Sequence, residues 1–222
     1  MGKKIAQAMR ALGIGLAVAI AMLGWQPVTA RGGPPSAKSV ETKSTAAAGV
    51  LPATAKPLGY SLEDMARATA LYNTGTRTGP PPNTPFVILV TTGAPQTTFT
   101  VDQGTYLYVP LFYSDNSTPI LGNWPVDIEN RAQLTHYWTS PEEIGLRFIK
   151  VIVDGKVATL SPDYIVGVRG VTTAAGGTEY SVAAVFLHPL PPGEHTVQVI
   201  GFYSGEAAGE AEFSFGYTVV VR

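Results

Sequence analysis

Two segments near the end of the chain alternate with a period of two. In 194–203, Val197, Val199 and Tyr203 alternate with Thr196 and Gln198; in 211–221, Phe213, Phe215, Tyr217, Val219 and Val221 alternate with Glu212, Ser214 and Thr218. Successive side chains of an extended chain point to opposite faces, so this spacing suits a strand buried on one side and does not suit a helix. Further β-branched and aromatic runs, bounded by Gly, Pro, Asp and Asn, place strands at 86–91, 97–101, 105–113, 146–153, 156–160, 163–169 and 179–187. Asp154-Gly155 between "FIKVIV" and "KVATL" is a two-residue hairpin signal, because both central positions of that turn need positive φ. Many short strands with turn chemistry between them predict a mainly β chain, folded as an antiparallel two-sheet sandwich and not as a parallel α/β sheet.

The stretch "LPPGEHTVQV" sharpens that expectation. Pro191 and Pro192 hold φ near −65°, and Gly193 can take backbone angles closed to other residues. The segment resembles the Leu-x-Pro-Gly-x-Tyr corner of Ig-like sandwiches, with His195 in the aromatic position. That resemblance implies a structural His195, bonded back to the turn, at about 1 kcal/mol net. Together with "FTVDQGTYLYVPLFY" and "VIVDGKVATL", the corner is also similar to a group of exported bacterial β-sandwich proteins of unassigned function. Their shared outline is a G-x-x-x-x-x-P strand, a V-D-G hairpin and a terminal L-P-P-G-x-H-x-V corner, and here it spans 86–222. The likeness implies a β-sandwich and export, and carries no catalytic residue across.

The N-terminus points the same way. Lys3, Lys4 and Arg10 precede an apolar stretch from Ala11 to Trp25, and Val28-Thr29-Ala30 offers a small-residue cleavage pattern, so 1–30 reads as a signal peptide. At about fifteen residues the apolar stretch is shorter than the roughly twenty a membrane span needs. Residues 31–57 are mostly Ala, Ser, Thr, Pro and Gly, whose ordering would cost entropy without burying much surface, and they read as a disordered tether. The domain is then expected over 58–222. Without the three basic residues of the leader, the 15 basic residues fall to 12 against 16 acidic, a net charge near −4. Nucleic acid and anionic membrane, which reward clustered Lys and Arg, are therefore disfavoured partners, and no membrane span is expected after the leader. There is no cysteine, hence no disulfide and no thiolate metal site, and a hydrophobic core must supply the stability.

Two segments are expected to be helical. In "GYSLEDMARATALYNTG", Ser61 and Asp64 form a capping box, Tyr60 and Met65 a hydrophobic staple, and Leu62, Met65, Ala66 and Thr69 one apolar face. The second lies in 114–145, an insertion that breaks the strand pattern: a loop "SDNSTPILGNWPVD", a helical "IENRAQLTHYW", then "SPEE", where Ser140 could cap a further turn bearing Glu142 and Glu143. Long insertions between strands often carry function.

Candidate chemistry is sparse. The three histidines, His136, His188 and His195, provide no metal-ligand spacing, and Asp115, Asn116 and Asp127 lack the repeated Asp-x-Asp of a calcium loop, so neither metal nor cofactor is assigned. No G-x-S-x-G is present. The better signal is aromatic: by alternation Tyr106, Tyr108 and Phe112 share one face of strand 105–113, and Trp124 in the insertion could extend it. Open, that face would make a platform for a glycan or an envelope protein; covered by helix 62–73, it would be core. Pro110, lacking a ladder donor, marks an edge or a bulge in the same strand. The expected function is an exported, secreted or periplasmic, non-enzymatic binding or cell-envelope interaction module. The alternative is a secreted hydrolase using Asp127 and Glu129 of the insertion.

Overall fold

The computed structural model describes residues 48–77, 80–90 and 96–222. The expected signal peptide and the tether as far as residue 47 lie outside the described residues.

Among the described residues, nine strands form two packed sheets. The first has the order β1 (Val87–Ile88), β3 (Leu107–Asp115), β7 (Glu179–Leu187), β6 (Ile165–Arg169). The second has the order β2 (Gln96–Val101), β9 (Gly209–Val221), β8 (Gly193–Gly205), β4 (Leu146–Val153), β5 (Lys156–Thr159). The protein is thus a two-sheet β-sandwich. Its pairings are antiparallel except at two edges, where β1 runs parallel to β3 and β2 parallel to β9. Parallel neighbours need a long connection, and the whole domain separates β2 from β9 in sequence. Asp154 and Gly155 have φ of 49° and 77°, the turn geometry expected between β4 and β5.

The sheets differ in cover. Along β8 buried and more accessible residues alternate from His195 to Gly205, the mark of a sheet with one solvated face. In β7 every residue from Tyr180 to Leu187 is buried. The cause is helix α1 (Leu62–Thr74), which packs on β6 and β7 and covers the face of the first sheet turned away from the second. The helix begins as its sequence dictates: Ser61 Oγ accepts from the Asp64 amide while the Asp64 carboxylate accepts from the Ser61 amide. Its buried residues, Leu62, Met65, Ala66, Thr69, Ala70 and Asn73, fall on one stripe. Tyr60 lies edge-on to Phe86 at 5.7 Å.

Three expectations need correction. Residues 48–51, assigned to the tether, are packed: Ala48 and Val50 are buried, Val50 bridges Leu187, the Leu51 amide donates to the Phe186 carbonyl at 2.9 Å, and the Tyr164 hydroxyl donates to the Leu51 carbonyl at 3.0 Å. Here the backbone extends the sheet beside β7 while Ala48 and Val50 join the core. In the insertion, "SPEE" forms no helix. Ser140 instead closes α2 (Arg131–Thr139), its amide donating to the His136 carbonyl, and 141–144 is a turn. A capping box would need Glu143 to reach back to Ser140; its carboxylate is engaged elsewhere, as described below.

The third correction concerns the expected face of Tyr106, Tyr108 and Phe112. The register of β3 on β7 slips between Pro110 and Phe112, leaving Leu111 as a bulge. One extra residue inverts the alternation, so Tyr108 and Phe112 point to opposite faces. Tyr108 is fully buried on the α1 side against Phe186, while Phe112 lies between the sheets against Tyr203 and Phe213, 5.4 Å from each, and edge-on to Trp138. Tyr106 precedes β3 and is partly buried.

Candidate functional site

The insertion is held from behind by its own Glu143 and Tyr137 and by Glu179 of β7. Glu143, 5% exposed, accepts from the Asn123 backbone amide through Oε2 at 2.8 Å and from Asn123 Nδ2 through Oε1 at 2.7 Å. Both carboxylate oxygens are thereby satisfied, as a buried carboxylate requires. Gly122 before it has φ of +62°, and a Cβ there would lie 2.2 Å from Glu143 Oε2, so only glycine fits. The Tyr137 hydroxyl donates to the Leu121 carbonyl at 3.0 Å and lies 3.0 Å from Ser114 Oγ; burial, foremost, pushes its pKa up to about 12. Asn116 Oδ1 accepts from the Thr178 and Glu179 amides. Trp124 donates from Nε1 to Glu179 Oε2 at 2.5 Å and rests edge-on against Tyr137 at 5.3 Å.

This scaffold turns apolar side chains outward. Ile120 is 50% exposed and Val126 is 93% exposed, one on each side of the Gly122-Asn123-Trp124 anchor. Beyond Val126 the loop is tied down again by charge: Arg169 pairs with Asp127 at 2.6 Å and with Glu129 at 3.7 Å, and Glu129 also pairs with Arg67 of α1. Arg131, at the start of α2, donates to the Ile165 and Pro162 carbonyls and pairs with Asp163 at 2.9 Å. All these charges are partly exposed, so the ion pairs orient the insertion more than they stabilise it.

The sequence-predicted residues fare differently. Of Tyr106, Tyr108, Phe112 and Trp124, only Trp124 belongs to this surface, and its ring and N–H are committed to Tyr137 and Glu179. The four do not form one platform. Asp127 and Glu129, the carboxylates of the hydrolase alternative, are each engaged by arginine. Asp115 accepts from the Ser117 amide, and Asn116 accepts from the Thr178 and Glu179 amides at the start of β7, so neither turns with Asp127 toward a common point. Glu143, Tyr137 and Glu179 escape sequence reasoning as anchors, because each lies at least 16 residues from the loop group it holds. Clefts of about 100 Å³ beside β4 and about 240 Å³ between Arg67 and Arg131 are both smaller than the roughly 300–1,000 Å³ that buries a small ligand.

At the other end of the sandwich the corner is closed by His195. Its Nε2 lies 2.8 Å from the Pro191 carbonyl oxygen and its Nδ1 2.7 Å from Asp154 Oδ2, while Asp154 Oδ1 accepts from the Thr196 amide at 2.9 Å. Gly193, with φ of +134°, takes the angle denied to other residues. The histidine thus joins the Pro-Pro-Gly bend to the β4–β5 hairpin. Burial opposes its charge, but the Asp154 carboxylate and the Pro191 carbonyl outweigh that and raise its pKa.

The fold and its insertion define a β-sandwich carrying an anchored apolar loop. No protein-family model and no curated protein matches the chain. Two solved structures resemble part of it. The solution structure of Amebosin is 11% identical over 63% of this chain and 100% of its own, with a TM-score of 0.28. The crystal structure of EhICP2, a cysteine protease inhibitor from Entamoeba histolytica, is 15% identical over 62% of this chain and 96% of its own, with a TM-score of 0.31. Likeness at this level leaves the reading to the chain's own residues. No helix among the described residues is long and apolar enough to cross a membrane.

Proposed function

We propose that the protein is an exported, non-enzymatic binding module, secreted or periplasmic, that recognises a protein of the cell envelope through its 114–145 insertion. The carrying observation is a loop fixed from behind by Glu143, Tyr137 and Glu179 that nevertheless turns Ile120 and Val126 into solvent. Unsupported apolar loop residues would be expected to fold back; these are held out, so the ordering cost of binding is already met. Branched aliphatic side chains favour a protein over a glycan, since sugar rings stack on open aromatic faces and the half-buried Trp124 is held against Tyr137. Export rests on the leader signature of Lys3, Lys4, Arg10 and the apolar stretch that follows.

The test pairs localisation with binding. N-terminal sequencing of the exported chain is expected to show cleavage after Ala30. Saturable binding to envelope proteins is expected to drop at least ~tenfold, about 1.4 kcal/mol, in Ile120→Asp and Val126→Asp, with thermal stability unchanged. Binding undiminished in both variants, or found only to polysaccharide, would exclude this surface.

A further inference from the structure

The solvent-facing side of the second sheet is apolar over part of β4, β8 and β5. Phe148 and Ile152 on β4, Ile200 and Phe202 on β8 and Val157 on β5 all point away from the core, and Val157 is 42% exposed. The register makes them neighbours: Phe148 pairs with Phe202, Lys150 with Ile200 and Ile152 with Val157. The Phe148 and Phe202 rings stack at 6.2 Å, and Lys150 Nζ lies 4.9 Å over the Phe148 ring. Across β8 the character changes at once, since β9 presents Glu212, Ser214 and Thr218 on the same side, with Glu212 paired to Phe202. A one-face antiparallel sheet is expected to alternate apolar-in and polar-out; β4 and β8 depart from this on adjoining strands, over one contiguous stripe.

We propose that this stripe joins two copies of the chain in an isologous dimer. The arrangement is self-complementary. A two-fold axis along the strands, between β4 and β8, lays β4 of each copy over β8 of the other at the roughly 10 Å spacing of packed sheets. Phe148 then meets Phe202 of the second copy and vice versa, closing the four rings into one cluster. Lys150 reaches over β8 of the second copy toward Glu212 on its β9, one row away, and the symmetry makes that pair twice. The cation sits within the stripe on β4 and the anion at its margin on β9, so the two-fold turns each toward its opposite in the second copy.

The full chain is tested by light scattering and sedimentation from about 1 µM to about 1 mM, the range of modest protein affinities. The wild type is expected to double in mass within it. Phe202→Glu is expected to weaken self-association at least ~tenfold. Lys150→Glu and Glu212→Lys should each weaken it by about three- to tenfold, and the doubly reversed K150E/E212K chain should recover to within about twofold of wild type. If Phe202→Glu misfolds by circular dichroism, the charge-reversal set, confined to accessible side chains, decides alone. A wild type that stays monomeric throughout, including one whose stripe binds a polysaccharide instead, overturns the dimer. So does a folded Phe202→Glu chain that still associates, or a double reversal no better than its singles.

Discussion

His195 faces an acceptor at each ring nitrogen, a carboxylate at Nδ1 and a carbonyl at Nε2, and only the doubly protonated ring donates to both. Its pKa is raised in the folded protein. The stability it contributes is therefore complete below its unfolded value near 6.5 and is lost as pH rises through the higher folded value. Asp154 runs the other way: burial opposes its charge, yet His195 and the Thr196 amide hold its pKa below 3.8, so its contribution is present above that value and lost as pH falls through the folded one. The pair should stabilise most between about pH 4 and pH 6.5. His195→Ala is expected to cost about 1–2 kcal/mol there, with Asp154 being 43% exposed and screened, and hence about 2–8 °C of Tm. The gap between variant and wild type should narrow at pH 9; calorimetry showing a constant gap from pH 5 to 9 would contradict the ionic reading. Glu143→Gln sets an N–H₂ against a donor of Asn123 and should cost about 1–3 kcal/mol. Amide exchange at 121–124 should accelerate with it, and unchanged protection there would show that Glu143 does not anchor the loop.

At the scale of elements, α1 and β3 show how far pattern alone reaches. The helix was readable from "SLEDMARA", because a cap, its reciprocal acid and an apolar stripe all lie within one short segment. Ser61→Ala should cost about 1 kcal/mol and lower Tm by about 2–4 °C, checked by thermal melting. Strand β3 was readable as a strand, and Pro110 as a mark of a bulge or edge. Which residue the bulge would add was not, since that depends on the partner strand, and one residue decides whether Phe112 points with Tyr108 or against it. Phe112→Ala should accordingly act as a core truncation of about 3 kcal/mol while leaving the insertion's binding intact. Retained stability with lost binding would return Phe112 to a surface role. The "SPEE" segment fails as a helix for the same kind of reason. Glu143 is drawn to Asn123, 20 residues away, and nothing local in "SPEE" announces that partner.

For the molecule as a whole, the sandwich has two accessible surfaces of different character: an anchored loop beside the α1-covered sheet and an apolar stripe on the other. Dimerisation through the stripe would present two loops together, so Phe202→Glu should weaken binding to a densely immobilised partner more than to the same partner free in solution. Equal weakening in both formats would separate the stripe from recognition. The two-sheet architecture, the α1 cap and the Asp154-Gly155 turn were set by the sequence itself, because alternation, capping and positive-φ turns act over a few residues. Tertiary structure alone decided that α1 covers Tyr108, that β1 and β2 join their sheets in parallel, and that Ile120 and Val126 face outward. Each depends on contacts between segments far apart in the chain, where the energy of burial belongs to the pair and is invisible in either member.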